Sequence, residues 1–139
     1  MDGALIDCGS IMAMWQKLLW LALAGAAGTV ARFAVISLAE RFQETAFPIG
    51  TLAVNAGGCF LFGLVWSLAE SRLGPQSDQA RLIVLTGFLG AFTTFSTYAF
   101  ETVRLLQTAQ WLVAGVNFAG QNALGLLLVL AGMAAGRLF

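Results

Sequence analysis

Thr93, Thr94, Ser96 and Thr97 stand among Phe92, Phe95, Tyr98 and Phe100 in the stretch GFLGAFTTFSTYAFE, residues 87–101. They interrupt an uncharged run, Leu82 to Phe100, that is long enough to cross a bilayer. A helix that only has to span is cheaper built from Leu and Val. Asn55 lies in a second apolar run, and Asn117, Gln121 and Asn122 in a third. Asn117 and Gln121 are four apart, hence on one helical face. An amide in an apolar interior needs partners, and its NH2 group offers two donors. Such an amide either bridges helices or serves a ligand. Phenylalanine and tyrosine edges at 95 and 98 add positively polarised C–H groups. Neutral donors of this kind suit a small anion. Carbonyls freed at a helix break would do the opposite and hold a cation.

Composition removes most other chemistry. The 139 residues are 59% hydrophobic and 10% charged, with mean hydropathy +0.84, far from the soluble average. This composition predicts an integral membrane protein. Seven basic and seven acidic residues cancel, so no basic patch exists for nucleic acid. Histidine is absent, which removes the commonest general base and transition-metal ligand. Cys8 and Cys59 have no partners at metal-ligand spacing and are not expected to pair. With no paired acids and no activated nucleophile either, an enzyme is not expected.

The elements that must position these groups follow from the apolar runs. Residues 1–14 read as a flexible tail rather than a signal peptide, since acids replace the positive n-region. A single membrane domain over 15–139 then holds helices at about 15–38, 48–69, 79–107 and 110–137. In the first, Gly25 and Gly28 with neighbouring alanines give a face for close contact. Arg32 falls inside that span, where a charge is costly, so it faces protein or water or snorkels outward. The second opens at Pro48, suited to a helix first turn, and carries Thr51 one turn ahead of Asn55. Ser77 or Asp78 is a candidate N-cap for the third. Glu101 and Arg104 are three apart and placed to pair at the membrane surface. In the third helix, Gly87 and Gly90 precede the hydroxyls and loosen the backbone. Two readings stand there: a break in mid-membrane, or a packing helix whose hydroxyls bond back to their own carbonyls.

GTLAVNAGG (residues 50–58) and GFLGAFTTFSTYAFE together resemble the CrcB/Fluc fluoride channels, and the four-span layout and Arg32 agree over nearly the whole chain from Trp15. The resemblance implies an all-α membrane protein with four transmembrane helices, the third broken in mid-membrane, assembled as an antiparallel, dual-topology homodimer. It implies two pores per dimer in the bacterial inner membrane, exporting fluoride passively and so conferring fluoride resistance. By motif, Asn55 matches the pore asparagine and Phe95 the first of two pore phenylalanines. Tyr98 stands where the second is usual, a departure that adds a hydroxyl. Gly90 and Thr93 match the break whose backbone carbonyls, from both subunits, hold a structural sodium ion. Arg32 matches the first-helix arginine, and Asn117 and Gln121 match polar fourth-helix positions more loosely. Thr51, Thr94, Ser96 and Thr97 complete the expected pore lining.

Two other classes are weighed against this one. A small multidrug-resistance-type transporter shares the size and the antiparallel habit, but its first-helix glutamate is missing here. A non-transporting assembly protein would account for the glycines but not for the TTFST cluster or Asn55. Basic residues divide as Lys17, Arg72, Arg81 and Arg137 against Arg41 and Arg104, too weak a bias to orient the chain. A chain that inserts both ways round would show such a balance.

Overall fold

The computed structural model describes residues 8–72 and 78–138. These residues are helical apart from short connections: α1 (Cys8–Glu40), α2 (Ile49–Arg72), α3 (Asp78–Arg81), a π-helix (Leu82–Leu89), α4 (Gly90–Phe92), α5 (Phe95–Gln107) and α6 (Trp111–Leu138). Four helical stretches are long and apolar enough to span a membrane: Met12–Glu40, Ile49–Ser71, Asp78–Gln107 and Trp111–Leu138. The expected count of spans therefore stands. The first helix starts at Cys8, earlier than Trp15, with no proline between them to stop it. Ser77, one of the two candidate N-caps, lies outside the described residues, while Asp78 is the first residue of α3. Pro48 precedes α2, and its carbonyl accepts the first helical bond, from Leu52 N at 3.1 Å.

Helices meet where glycine lets backbones touch. α2 and α6 cross at Gly63 and Gly132: a Cβ on Gly63 would overlap the Val129 carbonyl, and one on Gly132 the Phe60 carbonyl. α1 packs on the π-helix in the same way, with Gly28 against the Phe88 carbonyl and Gly87 against the Ala24 methyl. Within lipid, apolar contact alone does not drive association, so close van der Waals approach does this work. The buried core is correspondingly small, Val54, Leu85, Leu89 and Phe92, flanked by residues such as Val35 and Phe88. Large apolar side chains face outward on every span, including Phe33, Phe62, Phe95 and Leu127.

The third span is irregular in two places. Residues 82–89 form a π-helix, a feature with no sequence signal, in which the Gly90 N–H is shared between the Gly87 and Leu85 carbonyls. After α4 the backbone leaves helical geometry: Thr93 is at φ −78°, ψ 158° and Thr94 at φ −147°, ψ 108°. α5 then restarts at Phe95.

Candidate functional site

The non-helical pair at 93–94 exposes backbone groups that a helix would satisfy internally. Asn55, one helix away, takes up both sides of the Thr94 residue. Its Oδ1 accepts from Thr94 N at 2.8 Å, and its Nδ2 donates to the Thr94 carbonyl at 3.1 Å. Thr94 also caps α5 itself: its Oγ1 accepts from Thr97 N at 3.3 Å and donates to Thr97 Oγ1 at 2.9 Å. Ser96 Oγ lies 3.4 Å from the same hydroxyl.

These bonds have a consequence for two carbonyls. In an uninterrupted α-helix, Thr94 N would donate to Gly90 O and Thr97 N to Thr93 O. Here the first goes to Asn55 and the second to the Thr94 side chain, so both carbonyls lose their ordinary helical donors. Arg32 NH1 approaches the Thr93 carbonyl at 3.3 Å, a long contact that keeps the guanidinium against protein. Thr93 Oγ1 bonds back to Leu89 O at 3.0 Å.

From Asn55 a chain of amides runs along α6. Asn55 Nδ2 donates to Gln121 Oε1 at 2.9 Å, and Gln121 Nε2 to Asn117 Oδ1 at 2.9 Å. Asn117 Nδ2 donates to Thr102 Oγ1 at 2.8 Å, and Thr102 Oγ1 to the Tyr98 carbonyl at 2.8 Å. All the donors point one way, and Asn117 is fully buried. Tyr98 is buried too, with its ring 5.5 Å from that of Phe95 at an interplanar angle of 58°. Phe95 itself projects outward and is 77% exposed.

Asn55, Gly90, Thr93 and Phe95 share one open groove of about 400 Å³ on the outer face of the chain. A second hollow, about 370 Å³, lies at the end of α1 and reaches Thr51 and Glu101. Thr51 Oγ1 donates to Glu101 Oε1 at 2.7 Å, while Glu101 Oε2 is buried without a partner among the described residues. This corrects the expected Glu101–Arg104 pair. Glu101 turns inward to α2, and the exposed Arg104 instead leans over the Phe100 ring, 6.0 Å from its centroid. Helical spacing allowed that ion pair, but a buried hydroxyl within reach competes better than a solvated cation.

The structure therefore gathers Asn55, Thr94, Thr97, Asn117, Gln121 and the backbone of Tyr98 into one network, with Thr93 and Arg32 beside it. Thr51 stands apart with Glu101, and Phe95 and Ser96 lie at the surface. Sequence reasoning passed over Thr102 and placed Glu101 wrongly. Thr102 is one turn beyond Tyr98, so helical spacing was the signal that pointed to it.

The family described as CrcB-like protein, Camphor Resistance (CrcB), matches residues 19–133. A fluoride-specific ion channel FluC of Nitrosococcus oceani is 54% identical over 119 residues, covering 86% of this chain and 94% of its own. A protein of the same name from Maridesulfovibrio salexigens is 48% identical over 123 residues, covering 88% and 97%. One from Nitratidesulfovibrio vulgaris strain Miyazaki F is 46% identical over 123 residues, covering 88% and 98%.

Proposed function

The chain belongs to the CrcB-like family, and we propose that it is a fluoride-selective channel exporting fluoride passively. The observation that carries this reading is the run of neutral donors led by Asn55, inside a membrane-spanning fold, in a chain so similar to proteins named fluoride-specific channels. Fluoride is small and strongly hydrated, so replacing its water takes several placed donors rather than one charge. Neutral HF enters cells and dissociates near neutral pH, after which the membrane potential drives the anion out through a passive path.

The pathway in this reading runs along Asn55, Phe95 and Tyr98, with the hydroxyls of Thr94, Ser96 and Thr97 and the amides of Gln121 and Asn117. Thr51 lies towards one mouth, and Arg32 offsets the cost of burying negative charge. Both Asn55 N–H groups are engaged by protein acceptors. An arriving fluoride would take the N–H now given to Gln121, since an ionised acceptor forms the stronger bond.

Four helices enclose little space, so the working unit is an antiparallel homodimer with two pores, seated in a bacterial inner membrane. The third helix is broken in mid-membrane, and the two breaks cross at the dimer axis. The Gly90 and Thr93 carbonyls suit a monovalent cation there: they are neutral oxygens relieved of their helical donors, and no carboxylate is among the described residues that line their groove. Sodium bound by these carbonyls would supply a fixed positive charge at the axis. The protein's own part is to release the two oxygens from helical bonding, through Asn55 and the Thr94 hydroxyl; at Thr93 the ion would displace the long Arg32 contact.

The test is fluoride efflux from liposomes carrying the purified protein, beside a chloride control. Rapid fluoride release with chloride retained is the expected result. Retention of both anions by a folded protein would overturn the reading.

A further inference from the structure

Tyr98 is the chain's only tyrosine. The ring is 5% exposed, and its tip reaches α6. There Asn122 Nδ2 donates to the hydroxyl oxygen at 2.8 Å and to the Phe118 carbonyl, in its own helix, at 2.7 Å. The hydroxyl's proton is directed at that same carbonyl, but at 3.4 Å, beyond a good O–H···O distance. The short bond in this triangle is therefore the one from Asn122. Although Asn122 follows Gln121 directly, it forms no bond within the Asn55–Gln121–Asn117 chain. Its amide is committed to the tyrosine tip and to the carbonyl that the tip also faces.

We propose that Asn122 is a positioning residue: it tethers the Tyr98 hydroxyl to α6, holding the ring so that its edge, not its O–H, meets the passing ion. The proposal rests on the fluoride pathway given above. Its physical content is the asymmetry of hydrogen bonding. Asn122 is the donor in its bond to Tyr98, so its loss leaves the ring tip untethered, with an O–H held only by the 3.4 Å contact to Phe118 and able to turn with the ring to another acceptor, whereas removing phenol and amide together leaves no O–H to turn. Fluoride is the strongest acceptor that would come within reach. A free Tyr98 O–H would hold it too tightly to be passed on, and conduction requires sites weak enough to leave.

The experiment is a double-mutant cycle in liposomes with Asn122→Leu, Tyr98→Phe and the pair, and with Asn122→Ala in parallel to remove the donor without added bulk. Asn122→Leu should lower fluoride efflux about tenfold, the scale of one lost hydrogen bond. Adding Tyr98→Phe should restore efflux to the level of Tyr98→Phe alone. Because Tyr98 is the sole tyrosine, the 13C resonance of its Cζ reports this hydroxyl only, and it should shift in Asn122→Leu and Asn122→Ala. Equal losses with and without the hydroxyl, no loss in either truncation, or an unmoved Cζ resonance would each overturn the proposal. Absence of efflux from the unmutated protein would overturn the fluoride reading instead, with the Cζ resonance still deciding whether the tether exists.

Discussion

Asn55 shows how much one neutral side chain is asked to do. It accepts from the N–H of Thr94, donates to that residue's carbonyl and donates again to Gln121. An aspartate there could still accept from Thr94 N but could make neither donation, and its second oxygen would face two acceptors. Asn55→Asp is therefore expected to abolish fluoride efflux and to destabilise the fold by about 1–3 kcal/mol, the cost of unsatisfied buried groups. Liposome efflux and a thermal melt of the same preparation check both parts; normal efflux from a folded protein would remove Asn55 from the pathway. From the sequence, Asn55 stood out as an amide in an apolar run. Its second task, satisfying a peptide 39 residues away, had no local trace.

At the scale of elements, the fold depends on a few places where one helix leaves no room for a side chain on another. Gly132 abuts the backbone of α2, while Gly125, two turns earlier on α6, would meet only the Cys59 sulfur at 3.4 Å. Gly132→Ala should destabilise the protein by about 1–3 kcal/mol, in the range of core overpacking, and Gly125→Ala should be nearly neutral. Thermal melts of the two variants in one detergent test the contrast, and equal melting temperatures would show that α2 and α6 can slide apart freely. In the sequence, only Gly25 and Gly28 of the first helix read as a small-residue face. Which glycines touch backbone depends on the crossing point of two helices, and that is a property of the packed pair.

At the scale of the whole molecule, the proposed sodium ion would couple the break in the third span to the assembly. If the Gly90 and Thr93 carbonyls of two copies hold one cation, replacing sodium on both sides by a large organic cation should suppress fluoride flux. Sodium should restore it, and potassium poorly, because four carbonyl oxygens of fixed spacing discriminate by size. Undiminished flux after prolonged depletion would count against the ion. The groove that holds Gly90 and Thr93 also presents Phe95 to the outside of the chain, as expected if a second copy completes the site.

By itself the sequence determined that this is a multi-pass membrane protein, how many spans it has, and which family it belongs to. A bilayer demands about twenty apolar residues in a row for each span, and two motifs each lie within one continuous stretch. Local order carried both signals. Only the tertiary structure decided where donors and acceptors end up: Thr94 on Asn55, Glu101 on Thr51 rather than Arg104, Arg32 at Thr93, and Asn122 on the tyrosine tip. Each of these pairs joins separate spans. Their partners are set by helix rotation and approach, and a buried polar group takes whichever partner that geometry brings within about 3 Å.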